Sequence, residues 1–146
     1  MITLIVAPVD DSKPFFIPKR SYDGDAGYDL TCVEDTVIRP GESAEIPTNL
    51  KIALPDGKWC MIIGRSSTFS KRGLLTVPGI IDNGWRGGLF AVVFNPGHSV
   101  IKISAGERLV QMIMFGIEAV DFITCVNPDS LPSGERGTKG FGSTGI

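Results

Sequence analysis

With 146 residues, 42% of them hydrophobic, the chain is long enough to bury the core of one domain. Its formal net charge of −2 lacks the basic excess that neutralises the phosphates of a long nucleic acid, so we expect no nucleic-acid partner. Three cysteines without a C-x-x-C pair argue against a disulfide framework or a zinc site, and an opening apolar run too short for a membrane span predicts a soluble, cytoplasmic protein without a membrane partner.

Short runs of β-branched and aromatic residues, separated by glycine or proline, dominate the chain. No window has a sustained helical periodicity, and the one expected helix is brief, near 66–72. Regularly spaced short strands with turns between them predict an all-β sandwich or barrel. In chain order, the apolar runs that indicate strands are 2–6, 36–38, 43–47, 49–54, 59–63, 89–94, 100–103, 108–115 and 122–126.

The stretch 128–146 has no periodicity and cannot pack a core, so it is expected to form a mobile C-terminal arm. It contains "RGTKGFGSTGI" at 136–146, in which glycines and hydroxyls stand beside cations, as they do in loops that bind phosphate. The spacing of a strand–loop–helix phosphate loop is missing. We therefore predict a β-barrel domain at 1–127 and an arm at 128–146.

Three other stretches could carry chemistry, and each also has an ordinary structural interpretation. "GRSSTFSKRG" at 64–73 places an arginine and two hydroxyls at a strand-to-helix junction, which suits either a phosphate or a helix N-cap. "VPGIIDNGWRGG" at 77–88 places Asp82 before Asn-Gly, a tight-hairpin signal, so Asp82 is either a candidate general base or a turn residue. "DGDAGYDL" at 23–30 is only superficially like a calcium loop, because Tyr28 stands where that loop needs glycine.

Taken in order, five stretches resemble the five motifs of the trimeric deoxyuridine triphosphatase (dUTPase) family, and the resemblance covers essentially the whole chain. The resemblance implies an all-β fold, a distorted jelly-roll-like β-barrel of the β-clip type, assembled as a homotrimer with active sites at subunit interfaces. It also implies hydrolysis of dUTP to dUMP and pyrophosphate with Mg²⁺, which limits dUTP incorporation into DNA and supplies dUMP for dTMP synthesis. The five stretches are "AGYDL" (26–30), "GRSSTFSKRGL" (64–74), "GIIDNGWRGG" (79–88), "GERLVQMIM" (106–114) and "RGTKGFGSTG" (136–145).

The same resemblance implies roles for individual residues. Asp82 would activate the water that attacks the α-phosphorus, with Gln111 near that water and the α-phosphate. Mg²⁺ would be held mainly by substrate phosphates and waters, with Asp29 near its water shell or beside an arginine. The implied substrate contacts are Arg65, Ser66, Ser67, Arg136, Ser143 and Thr144 at the phosphates, with Gly142 next to them, Phe141 and the main chain of Gly79, Ile80 and Ile81 at the base, and Trp85 at the sugar.

Two positions depart from the family pattern. Trp85 stands where tyrosine is common, so exclusion of a 2′-hydroxyl would depend on an indole face, and Lys139 stands where glycine is frequent. The related dCTP deaminases share the fold, but their catalytic glutamate aligns with Val92, which cannot transfer a proton. A regulatory nucleotide-binding module on the same fold is the other alternative.

Overall fold

The computed structural model describes residues 2–140. Strands account for 37% and helix for 7%, so the all-β prediction is confirmed. The short apolar runs explain this secondary-structure content, because each run is long enough for a strand and too short for a helix with a buried face. The elements are β1 (Ile5–Pro8), β2 (Tyr28–Leu30), β3 (Thr36–Ile38), β4 (Ser43–Ala53), β5 (Lys58–Gly64), α1 (Ser66–Arg72), β6 (Leu75–Thr76), β7 (Gly79–Ile81), β8 (Gly88–Phe94), β9 (Ile101–Ile103), β10 (Val110–Gly116) and a 3-10 turn (Pro128–Ser130).

Two four-stranded antiparallel sheets and a separate strand pair build the described part of the chain. One sheet has the order β1-β4-β8-β6, the other has the order β2-β10-β5-β7, and β3 pairs with β9. Strands that follow one another along the chain mostly lie in different sheets, as they do in a jelly roll. The sheets do not close into a continuous barrel, and the jelly-roll-like class is confirmed. No described helix is long and apolar enough to cross a membrane.

One apolar core collects the inward side chains of these sheets. Because successive residues of a strand point to opposite faces, β5 buries Cys60 and Ile62 and turns Trp59, Met61 and Ile63 outward. The buried apolar side chains are Leu30, Cys32, Ile38, Ile46, Leu50, Ile52, Leu54, Cys60, Ile62, Leu74, Leu89, Ala91, Val93, Ile103, Leu109, Val110 and Met112.

The tight hairpin predicted at Asn-Gly is wrong. β7 and β8 lie in different sheets, and neither Asn83 nor Gly84 has the positive φ that a two-residue hairpin of this type requires. Instead, the Asn83 side-chain amide donates to the main-chain carbonyls of Pro55 and Lys58, at 2.8 and 2.9 Å. These two bonds anchor the turn after β7 to the loop between β4 and β5.

Three other runs differ from their predicted form. Runs 43–47 and 49–54 join into the single strand β4, whose pairing with β8 shifts between Pro47 and Lys51. The run 122–126 forms no strand among the described residues, and Phe122 is 94% exposed. An apolar run of this kind has strand-forming residues but no neighbouring strand in its own chain to pair with.

Candidate active site

An open cleft of about 300 Å³ lies at one end of the β2-β10-β5-β7 sheet. It forms where β10 begins beside the ends of β2 and β5, because Val110 pairs with both Leu30 and Gly64. Four side chains to which the sequence assigned roles meet in this cleft, although they come from three separate motifs. The lining residues are Ser21, Asp25, Ala26, Gly27, Asp29, Arg65, Ser66, Gln111 and Ile113.

Asp29 joins two arginines at this cleft. Its Oδ1 forms an ion pair with Arg65 Nε at 2.9 Å, its Oδ2 accepts a hydrogen bond from Arg108 Nη1 at 3.2 Å, and the Asp29 side chain is only 11% exposed. Arg65 Nη1 also donates to the main-chain carbonyl of Arg108 at 3.0 Å. Among the described residues, Arg65 Nη2 therefore has no partner, and it is available to donate to an anion in the cleft.

Sequence reasoning missed Arg108. This arginine precedes β10 within the fourth motif, but its partner Asp29 lies 79 positions away in sequence. No local sequence pattern indicates a pair between residues so far apart in the chain. With two cations around one carboxylate, Asp29, Arg65 and Arg108 together carry a net positive charge, which suits a phosphate.

The start of α1 contributes Ser66 to the cleft. The helix has Arg65 at its N-cap position and no side-chain cap, so the alternative interpretation of Ser66 or Ser67 as an N-cap is wrong. Thr68, in the first turn of α1, donates its hydroxyl to the carbonyl of Leu109, and this bond fixes α1 against the start of β10. The hydroxyls of both serines have no partner among residues 2–140.

Gln111 lies on β10 directly opposite Asp29 on β2, so both side chains stand on the same face of the sheet. Its side-chain Nε2 donates to the main-chain carbonyl of Gly64 at 3.2 Å. The amide therefore lies across the end of β5, next to the cleft wall formed by Gly27.

A second group of predicted residues lies apart from this cleft, on β7 and the turn after it. Ile81 pairs with Cys60 of β5, so Asp82 stands level with Trp59, whereas Gln111 pairs with Ile63 on the other side of β5. A rise of about 3.4 Å per residue and a strand spacing of about 4.8 Å place the main chains of Asp82 and Gln111 about 16 Å apart. One chain alone does not bring the predicted base to the cleft.

The turn that carries Asp82 is held by several bonds. Trp85 N–H donates to the carbonyl of Asp82 at 3.0 Å, and Arg86 Nη1 donates to the carbonyls of Asn83 and Trp85 at 2.8 and 2.7 Å. The Trp85 indole packs on Gly87, where an added Cβ would lie 2.7 Å from ring atom Cε2. Trp85 is half-exposed and presents an apolar face beside Asp82.

The predicted arm is only partly within the described range. Arg136 is exposed, and the hydrogen bonds of this stretch are local turns from Gly137 N–H to Gly134 and from Lys139 N–H to Arg136. Phe141, Gly142, Ser143 and Thr144, for which the sequence predicts substrate contacts, lie outside the described residues.

Comparisons with known proteins agree with the motifs. A dUTPase family model matches residues 13–145. The chain is 38% identical over 132 residues to the deoxyuridine 5′-triphosphate nucleotidohydrolase of Leifsonia xyli subsp. xyli, covering 88% of this chain and 85% of that one. The enzyme of the same name from Tropheryma whipplei (strain Twist) is 38% identical over 136 residues, with 91% of both chains covered.

Solved structures give the same result. The chain is similar to a dUTPase variant of Staphylococcus bacteriophage 80alpha with dUpNHpp, at a TM-score of 0.87 and 27% identity over 99% of both chains. A dUTPase variant from phage phi11 of S. aureus, described as coordinating a structural Mg(II) ion, has a TM-score of 0.78 and 24% identity over 87% of this chain and 99% of that one. The second likeness shows a shared fold.

Proposed function

The chain belongs to the dUTPase family and is a dUTP diphosphatase, and from this premise we propose that it hydrolyses dUTP to dUMP and pyrophosphate with Mg²⁺ as a homotrimer. The observation that carries the proposal is the meeting of Asp29, Arg65, Ser66 and Gln111 in one cleft. The 80alpha dUTPase was solved with dUpNHpp, which supports dUTP as the substrate.

The cleft has the groups that a triphosphate needs. Arg65 donates through Nη2 while its other nitrogens are held by Asp29 and by the Arg108 carbonyl, so its guanidinium is oriented before substrate arrives. The hydroxyl of Ser66 adds a donor without adding charge, and Ser67, which follows it on α1 outside the cleft lining, is proposed to add a second. This arrangement favours binding of phosphate oxygens over binding of an uncharged ligand.

The donors in the cleft also fit Mg²⁺. This ion prefers oxygen ligands, keeps several waters and takes few carboxylates from a protein when phosphates are present. Asp29 and Asp25 are the carboxylates of the cleft lining, both Asp29 oxygens are occupied by arginines, and one Asp25 oxygen accepts from Tyr22 N–H at 2.9 Å. Asp29 is therefore proposed to act through waters and through Arg65, while bound Mg²⁺ supplies charge neutralisation for the triphosphate.

Asp82 is proposed as the general base, which takes a proton from the water that attacks the α-phosphorus. Gln111 is proposed to lie near that water, so the two residues must act on the same molecule. Because about 16 Å separates them within one chain, we propose that a neighbouring subunit supplies Asp82, together with Trp85 at the sugar and Gly79–Ile81 at the base.

Exposed apolar surface supports contact with further copies of the chain. On the outer face of the β2-β10-β5-β7 sheet, Trp59 and Phe115 stack with their ring centroids 4.6 Å apart, and Ile80 on the adjacent β7 is 66% exposed. Phe122 and Ile123 follow in an unpaired run, each 94% exposed. Exposed apolar side chains of this kind favour a protein–protein interface, and a second copy would cover them.

The stretch 128–146 is proposed to be a separate arm attached to a domain at 1–127. Its residues would complete the site with Arg136 at the γ-phosphate, Phe141 on the uracil, and Ser143 and Thr144 at the phosphates beside Gly142. The enzyme would thereby limit dUTP incorporation into DNA and supply dUMP for dTMP synthesis.

The direct test is turnover of a panel of deoxynucleoside triphosphates and UTP with Mg²⁺, measured as pyrophosphate release. We expect dUTP to be hydrolysed, and Asp82→Asn to lower kcat by about 10²–10⁴-fold while nucleotide binding persists. Absence of dUTP turnover by the wild-type protein would refute the proposal. Comparable turnover of UTP would show that Trp85 does not exclude ribose.

The shared site has its own test, which is complementation between two inactive variants. Asp82→Asn and Arg65→Ala chains are co-expressed or refolded together, so that some sites combine an intact Asp82 from one chain with an intact Arg65 from another. In a random one-to-one mixture, up to about one quarter of the sites should be active. Activity no higher than the sum of the two separate variants would show that each chain builds its site alone.

A further inference from the structure

Gly27 has a structural role that its backbone conformation does not explain. Glycine is required where φ is positive, or where another group approaches the main chain closely. Gly27 is buried directly before β2, and its φ is not among the positive values of the described glycines. The chain could therefore adopt this conformation with any residue, and only space selects glycine.

The group that fills this space is the side chain of Gln111. A Cβ added at Gly27 would lie 2.7 Å from Gln111 Cδ and closer still to Oε1, far inside van der Waals contact. At its other side the same amide donates from Nε2 to the carbonyl of Gly64. The Gln111 amide is thus held between two glycines, with its NH₂ group on Gly64 and its carbonyl oxygen beside Gly27.

We propose that Gly27 is a positioning residue for the hydrolysis reaction, which acts by leaving the room in which the Gln111 amide takes its single orientation. This inference rests on the proposed function, in which Gln111 lies near the attacking water. With its NH₂ group directed to Gly64, Gln111 offers its carbonyl oxygen at the cleft wall, where it can accept a hydrogen bond from a water O–H. A methyl group at position 27 would displace this oxygen.

The kinetic test compares Gly27→Ala with Gly24→Ala. Gly24 lies in the same loop, also lacks a positive φ, and has no atom within 4 Å of an added Cβ, so it is a matched control. Misplacement of a positioning group by about 1 Å costs about 100-fold in rate, so we expect kcat to fall about that much in Gly27→Ala. KM should change far less, and Gly24→Ala should keep wild-type values. Wild-type kcat in Gly27→Ala would overturn the proposal.

A double-mutant cycle separates this role from a general effect on the loop. If Gly27 acts through Gln111, then adding Gly27→Ala to Gln111→Ala should change kcat by less than about twofold, because the side chain that would collide is gone. A second large loss in the double variant would show that Gly27 acts on something else, and would overturn the proposal.

A readout that needs no activity is also available, because Gln111 is the only glutamine in the sequence. Selective ¹⁵N labelling of the glutamine side chain should give one amide signal in NMR. We expect Gly27→Ala to move that signal and Gly24→Ala to leave it in place; an unmoved signal would overturn the proposal. A moved signal in a protein that does not hydrolyse dUTP would support the packing and refute only the proposed function.

Discussion

Replacement of Asp29 by asparagine tests how the cleft orients its arginine. The Asp29 carboxylate forms an ion pair with Arg65 Nε at 2.9 Å and accepts a hydrogen bond from Arg108 Nη1 at 3.2 Å, one contact on each oxygen. Asparagine has the same shape but only one acceptor oxygen, and its NH₂ group would face a guanidinium donor. One of the two bonds must therefore be lost, and Arg65 loses its fixed orientation or Arg108 loses its partner.

The size of the effect follows from the exposure of the three side chains. A hydrogen bond to a charged group contributes about 1.5–3 kcal/mol net, and the Arg65–Asp29 ion pair is expected to fall in the same range because its side chains, 28% and 11% exposed, lie partly shielded from solvent. The Arg108 side chain is 50% exposed, so screening by water reduces its share. We expect a loss of about 1.5–3 kcal/mol in transition-state stabilisation, which corresponds to about a 10–100-fold lower kcat/KM.

The loss of the Asp29 charge has the opposite effect on the affinity for substrate. Removal of one negative charge makes the cleft more positive, so the affinity for a triphosphate should be kept or rise, and the loss should fall mainly on kcat. Steady-state pyrophosphate release at fixed Mg²⁺ separates the two constants. Asp23→Asn is the matched control, because Asp23 is exposed in the loop before β2 and its replacement changes the net charge equally. Equal kcat for Asp29→Asn, Asp23→Asn and wild type would refute this reasoning.

Two further predictions concern stability. Deletion of 135–146 should change Tm by no more than about 2 °C, because the described residues 135–140 are exposed and form hydrogen bonds only in local turns. The same deletion should lower kcat/KM steeply. A large loss of Tm with full activity would contradict the proposal that this stretch is a separate arm. Burial raises the pKa of the Cys32 and Cys60 thiols from 9.0 to about 11, so the folded state disfavours their ionisation. The contribution of these thiols to Tm should be constant just below pH 9, and Tm should fall between pH 9 and 11. The decline should be shallower in Cys60→Ala, and an identical decline in that variant would show that its thiol is not responsible.

The elements that the sequence predicted correctly are those determined by residues close together in the chain. The apolar runs bounded by turns at 59–63 and 89–94 correspond to β5 and β8, and the predicted helix at 66–72 has the bounds of α1. In each case the residues that favour the element and the residues that end it are neighbours in the chain.

The features that the sequence did not predict depend on distant residues. The Asn-Gly turn is decided by bonds from Asn83 to another loop, and the pair between Asp29 and Arg108 spans 79 positions. The distance between Asp82 and Gln111 depends on the order of strands in a sheet, which no single motif contains. Motifs therefore named the chemical groups of the candidate site, whereas only the fold showed which groups one chain brings together.

The anchored turn after β7 also has a consequence for the chemical stability of the protein in storage. Asn-Gly sequences are prone to deamidation, because glycine does not hinder attack by its main-chain nitrogen on the preceding side-chain amide. Conversion of Asn83 to a carboxylate would replace the donors that now face the carbonyl oxygens of Pro55 and Lys58 with oxygens that can only accept, so both hydrogen bonds would be lost. The turn would then lose its anchor next to Asp82. We therefore expect retention of activity in storage to depend on an amide that is assigned no part in the reaction.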